Sequence, residues 1–267
     1  MTALDQRGEG SGQGALKSET QYSGKVKDAT IMIHSNFDFL DRPWWRTSFD
    51  ERDVNHFVSS AKHHQQAILL VTNENDELFW KGYINLHRER YLFECISAEN
   101  QFTPSFAQQL HRQIGDGLIS NAGQYRTRYV MAAQDNFVYM RPDLIENKME
   151  ELFRQCREKF ERTDLQLEEA IKYGACFLAY FLLIHPFING NGRVVRLLLS
   201  YLLSRFTAVP LSLYIGTKTR DIYLQCLREA QRYQESFKPS ALATFILECV
   251  YKTSYNICVV MDIDFQN

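Results

Sequence analysis

The sequence predicts a mainly α-helical protein with one short β-hairpin, preceded by a small α/β region. Three observations carry that reading. Two apolar runs, 177–184 and 194–203, flank a polar turn and are too long and leucine-rich for edge strands, so both read as buried helices. From Phe102 onward the pattern is helical, but 129–133 and 137–140 read as strands joined at Asp135-Asn136, a hairpin set among helices. Nearer the amino terminus, 67–72 and 78–86 read as strands joined at Asn73-Glu74-Asn75-Asp76, with 91–96 as a third.

In chain order, residues 1–28 are rich in Gly, Ser, Gln and charge and read as a disordered tail. Residues 29–101 form the small α/β region. There Ser48-Phe49-Asp50-Glu51 has capping-box spacing, opening a helix that carries Val54, Phe57 and Val58. Pro43-Trp44-Trp45 is expected to bury as a staple before that helix, and His63-His64 to lie at the surface. The helical core follows. Thr103 caps a helix with Pro104 at its first position, and Phe106, Leu110 and Ile114 share one face. A turn at Gly123-Gln124-Tyr125-Arg126 leads into the hairpin. Helices are then expected over 143–160, from a cap at Asp164 to Ile184, after the polar turn until Pro210, over 220–234, and from Ser240 to about Thr253. The core is placed at 102–255, with 256–267 as a tail.

Composition bounds the function. A chain of 267 residues with 45% hydrophobic content can bury a sizeable core. A net charge of -2 gives no electrostatic reason to expect nucleic acid or an anionic membrane as partner. The six cysteines are scattered, without close-paired metal spacing, and read as buried free thiols of a reducing compartment. No amino-terminal segment resembles a signal peptide, and the longest apolar stretch, 171–184, is interrupted by Lys172. A cytoplasmic location is the expectation.

The chemistry concentrates in His185-Pro186-Phe187-Ile188-Asn189-Gly190-Asn191-Gly192-Arg193-Val194-Val195-Arg196. Pro186 ends the first helix, and Gly190 and Gly192 let the backbone bend and approach a bound group. Arg193 and Arg196 stand three apart on one face at the start of the next helix. A helix N-terminus is already partly positive, so two cations there point to a multiply charged anion, held by backbone N–H groups and guanidinium forks. Nucleotide phosphates are the obvious candidate. Of the seven histidines, only His185 is seen to join this turn, and a side chain that titrates near neutrality suits a proton acceptor.

This stretch resembles the signature of the Fic (FIDO) family, His-x-Phe-x-Asp/Glu-Gly-Asn-Gly-Arg-x-x-Arg. It matches every defined position except one, where Asn189 replaces an acidic residue. The resemblance implies a Fic-type helical core over 102–255. It also implies that the hairpin, about 129–140, is a flap pairing with an extended segment of a protein substrate, and Gly123-Gln124-Tyr125-Arg126 fits the turn before it. On the residues alone the two strands equally suit a structural ribbon.

The implied activity is transfer of AMP from ATP to a Ser, Thr or Tyr hydroxyl of a target protein, with Mg2+ on the phosphates. His185 would be the general base. Gly190, Asn191 and Gly192 would present N–H donors, and Arg193 and Arg196 would hold the β- and γ-phosphates of the departing pyrophosphate. The acid that Asn189 replaces is the family's metal ligand, and an amide oxygen is poorer for a hard dication. Gly192, replaced by Lys in relatives that transfer a γ-phosphate, favours nucleotidyl transfer. Glu51 lies in Thr47-Ser48-Phe49-Asp50-Glu51-Arg52, which resembles the family's autoinhibitory segment except at Arg52, and a capping box explains it equally. Alternatives are a catalytically weak or silent Fic-fold binding module, or transfer of another nucleotide or phosphate-containing group. Delivery of this chain into a host cytosol without a classical signal peptide is the alternative to a cytoplasmic location.

Overall fold

The computed structural model describes residues 29–47, 52–74, 102–132, 137–208, 210–213, 217–232 and 237–263. The tail 1–28, Glu51 and its capping box, the strands expected at 78–86 and 91–96, and the hairpin tip at 135–136 lie outside the described residues.

Helix α1 spans Val54–Glu74, α2 Pro104–Gly115, α3 Ile145–Phe160, α4 Leu167–Ile184, α5 Asn191–Leu203, α6 Thr217–Arg232 and α7 Ser240–Val260. Between α2 and α3 stand the strands β1, Met131–Ala132, and β2, Phe137–Val138. They pair antiparallel with Met131 opposite Val138 and Ala132 opposite Phe137. A short 3-10 turn, Pro142–Leu144, leads into α3. The expected mainly α architecture with one hairpin is what the chain adopts.

Helix α4 is the hub. Nearly every side chain from Leu167 to Ile184 is buried, and it packs against α3, α5, α6 and α7. Gly174 allows the close crossing with α5, since a Cβ there would stand 2.7 Å from Leu199 Cδ1. That crossing fixes the two helix ends between which the polar turn hangs. The described amino-terminal residues share this core through Ile31, Ile33, Phe37, Val54 and Phe57. Thr103 caps α2 as expected, its hydroxyl accepting from Phe106 N at 3.3 Å with Pro104 next in line.

Several expectations fail for identifiable reasons. Residues 67–72 are not a strand: they continue α1. Val54, Phe57, Ala61, His64 and Ile68 recur at helical spacing and are all buried, and α1 packs along α7, so tertiary packing overrides the local apolar run. His64 is therefore buried at 4% exposure, against the surface placement expected. Helix α1 starts after Asp53, whose carboxylate accepts from His56 N at 2.8 Å, a later cap than the one expected at Ser48. The tryptophans do not staple α1. Trp44 is exposed, while Trp45 donates to Glu248 Oε2 on α7 at 2.9 Å. Asp164 does not cap α4, because its carboxylate is taken by Arg162 at 2.8 Å, and Gln166 precedes the helix without a side-chain cap. Helix α5 stops at Leu203, ahead of Pro210, and α7 runs on to Val260, into the stretch expected as a tail. Cys156, Cys176, Cys226, Cys249 and Cys258 are free and buried, as expected, and no described helix is long and apolar enough to cross a membrane.

Candidate active site

The turn between α4 and α5 is held from three sides. His185 closes α4 in the left-handed region, φ 51° and ψ 61°, with its N–H on Phe181 O at 2.9 Å. Such a conformation costs a non-glycine residue on the order of 1 kcal/mol and persists only where the surroundings enforce it. Arg126 supplies that enforcement. Its guanidinium is 2% exposed and donates to His185 O at 2.7 Å, Ile184 O at 3.1 Å, Arg128 O at 2.8 Å and Met140 O. Arg126 N also donates to Pro186 O at 2.9 Å. One buried cation therefore ties the end of α4 to the strand leaving the flap. Burial lowers its pKa to about 10, which leaves it charged at neutral pH.

Asn191 is the second clamp. It is buried, its Oδ1 accepts from Phe187 N at 2.9 Å, and its Nδ2 donates to Phe187 O at 2.8 Å. The side chain is spent on shaping the loop, which leaves its backbone N–H for a ligand. Phe187 is fully buried, the anchor of the loop.

His111, on α2, is the third. Its ring stacks on Phe187 with centroids 3.9 Å apart and planes 2° from parallel. Nδ1 accepts from Gly123 N at 2.7 Å, so the proton sits on Nε2, which donates to Asn189 O at 3.0 Å. Burial keeps the ring neutral, with the Arg193 charge acting in the same direction and the Asn189 carbonyl opposing both. His185 is thus not the only histidine joined to the turn.

Beyond these clamps the start of α5 faces outward. Gly190 takes the N-cap position at φ 78°, and its carbonyl accepts from Arg193 N and Val194 N. The first N–H groups of a helix have no partner within it, and those of Asn191 and Gly192 bond nothing among the described residues. Arg193 is exposed and Arg196 half-buried. A Cβ at Gly192 would lie 3.4 Å from Arg196 Nη1, so glycine leaves the guanidinium room to pass over the loop. N–H donors, a helix N-terminus and two arginines within its first two turns stand together here, a combination suited to an anion.

The His185 ring lies against Tyr139, which follows β2, with centroids 3.8 Å apart and planes 20° from parallel. Nδ1 is buried without a hydrogen-bond partner, which leaves Nε2 as the nitrogen able to meet a substrate. Burial, then the Arg126 charge, pushes the imidazole pKa down to about 4. The ring is therefore neutral at pH 7.

A dication finds little here. Residues 185–196 include no carboxylate, Asn189 is exposed, and no group of three His, Cys, Asp or Glu among the described residues could hold a metal. The loop does not fit a protein-held Mg2+.

All the motif residues named from the sequence meet in this one turn, while Glu51 lies outside the described residues. Sequence reasoning missed His111, Tyr139, and the roles of the Arg126 and Asn191 side chains. The only signal for His111 was a polar residue beside the apolar face of α2, next to Leu110.

Comparison with known proteins agrees with this geometry. The profile of the Fic/DOC family matches residues 101–203. The chain is 35% identical over 132 residues to a Fido domain-containing protein of Dictyostelium discoideum, covering 49% of this chain and 87% of that protein. A Fic family protein from Desulfovibrio desulfuricans G20 has a similar fold, with a TM-score of 0.52 at 19% identity over 79% of this chain and 67% of that one. A Fic domain-containing signaling protein from Bacteroides thetaiotaomicron VPI-5482 gives 0.51 at 17% identity, over 79% of this chain and 72% of that one. The structural likenesses speak to the fold. The 35% identity to a Fido domain-containing protein covered over 87% of its length, together with the family profile, shows that the chain belongs to the Fic/DOC family.

Proposed function

We propose that this protein is a nucleotidyltransferase that moves AMP from ATP to a Ser, Thr or Tyr hydroxyl of a target protein. The observation that carries the reading is the placement of a neutral, half-buried His185 at one end of a loop whose other end is the open N-terminus of α5 with Arg193 and Arg196.

In this reading the triphosphate lies on the N–H groups of Gly190, Asn191 and Gly192. The target hydroxyl passes its proton to His185 Nε2 as its oxygen attacks the α-phosphorus. The bond from that phosphorus to the bridging oxygen breaks, and pyrophosphate leaves with its charge offset by Arg193 and Arg196. A pKa near 4 makes His185 a weak base before the donor binds. Phosphate charge placed beside it raises that value toward neutrality, so the base is strengthened when the donor is bound. The target lies along the flap, where Tyr129 and Met131 are exposed and an extended segment can add to the hairpin.

Asn189 favours a second reading, a Fic-fold module that binds its partner and transfers nothing. The test is incubation of the protein with a cell lysate and nucleotides labelled at either the α- or the γ-phosphate. Label is scored as the excess over lysate alone and over His185→Ala, because lysate kinases transfer γ-phosphate themselves. Excess α-label without excess γ-label supports AMP transfer, and parallel reactions with UTP, GTP and CTP set the base preference. Excess γ-label would make the protein a kinase, and no excess from any nucleotide would leave the binding module.

A further inference from the structure

His111 touches the anion-binding loop from beneath and has no part in the chemistry described above. Its two ring nitrogens are both engaged, by Gly123 N and by Asn189 O, and its face lies flat on Phe187. A Cβ on Gly190 would stand 3.3 Å from His111 Cδ2, so the ring sits directly under the peptide that joins Asn189 to Gly190. That peptide is planar and trans, which makes its C=O and N–H point opposite ways. The carbonyl is drawn inward to Nε2–H. The Gly190 N–H must then face outward, toward the side where Asn189 and Arg193 are exposed, and it bonds nothing among the described residues.

We propose that His111 is a positioning residue of the anion site: by holding the Asn189 carbonyl it aims the Gly190 N–H at the bound phosphate. With the peptide reversed, a carbonyl oxygen would face the anion, and an N–H would meet Nε2–H inside the core. Gly190, at φ 78°, has the backbone freedom to allow that reversal. His111 removes the ambiguity. The inference rests on reading the start of α5 as the donor's phosphate site.

The test is calorimetric titration of the full chain with inorganic triphosphate, for wild type, His111→Gln, His111→Asn and His111→Phe. A glutamine amide reaches where Nε2–H stood and keeps the Asn189 bond. The asparagine oxygen reaches only where Nδ1 stood and keeps the Gly123 bond. Phenylalanine keeps the stacking alone. We expect His111→Gln to bind within about threefold of wild type, and His111→Asn and His111→Phe to bind about tenfold more weakly, the effect of one hydrogen bond. Melting temperatures measured alongside must not explain the order. Affinities that follow melting temperature, or an asparagine variant that binds better than the glutamine one, would reduce His111 to a core residue and overturn the proposal. The glutamine and asparagine pair decides the matter if His111→Phe does not fold. Wild type that binds no triphosphate overturns the site reading and this proposal together, whereas wild type and all variants binding alike overturns this proposal alone.

Discussion

The loop 185–196 and the hairpin 129–140 lie side by side but are secured very differently. In the loop, buried side chains from two helices occupy backbone groups one by one: Asn191 takes both polar atoms of Phe187, and His111 takes Asn189 O. In the hairpin, the two-residue strands pair over Met131–Ala132 and Phe137–Val138, extended by Tyr139 N on Val130 O at 3.2 Å and Met140 N on Leu183 O at 3.4 Å. The half that would meet phosphate is fixed from inside the core, where a small error in donor direction is costly. The half that would meet a protein target is held by few pairs, two-residue strands with one further bond on each side. Arg126 grips both, through His185 O on one side and Met140 O on the other.

The difference can be broken most severely at that shared group. Arg126→Met removes the donor to four carbonyls in a buried setting, so urea unfolding should report a loss of about 3 kcal/mol or more. Loop and flap should fail together, and an unfolding free energy within about 1 kcal/mol of wild type would show the clamp to be dispensable. Asn191→Ala acts on the loop alone. It should cost about 2 kcal/mol and weaken triphosphate binding, while hydrogen exchange at the β1–β2 pairs stays as in wild type. Faster exchange in the hairpin would mean that the two regions are not separately held.

How far this contrast could be read from the sequence depends on the range of the interactions. Pro186, Gly190 and the paired arginines act within a few residues, so the turn and the helices beside it were legible. The Thr103 cap was equally local. The clamps are not local: His111 meets Asn189, and Arg126 meets His185, across long stretches of chain, and nothing in the residues near His111 announces the loop it supports. The misread strand at 67–72 has the same origin. An apolar run rich in Leu, Ile and Val satisfies either period until α7 is seen lying along the other residues of α1.

Acid sharpens the comparison. His185, His111 and His64 are all held neutral, each with its pKa lowered by burial first, to about 4 for His185. Their unfolded pKa lies near 6.5, so between the two values the unfolded chain binds more protons than the folded one. Stability should be full above about 6.5 and fall as pH drops toward 4, by at most ~1.4 kcal/mol per pH unit for His185 alone. The urea midpoint between pH 7 and 5 measures it. Bound phosphate raises the His185 pKa, so by linkage triphosphate should protect more strongly as pH falls through this window, and a flat urea profile would contradict the neutral state of the three histidines.

The smallest effect is expected at Asn189, which is exposed at the rim. Asn189→Asp places a carboxylate where the loop offers only an amide. It should raise nucleotide affinity at low Mg2+ with a gain that shrinks as Mg2+ increases, because the phosphates and water supply the remaining ligands. Weaker binding at every Mg2+ concentration would show that Asn189 does not stand at a metal position.

The most direct test of the account is the rate at which α-labelled ATP modifies protein, including the chain itself, for wild type and His185→Ala, with triphosphate affinity measured on both. Removal of the base should slow transfer by about 10²–10⁴-fold. Affinity should stay within about threefold, since the N–H groups and arginines that hold the anion remain in place. Transfer by His185→Ala at the wild-type rate would contradict the role of His185 as base, and a parallel collapse of affinity would show that it only holds the loop in shape.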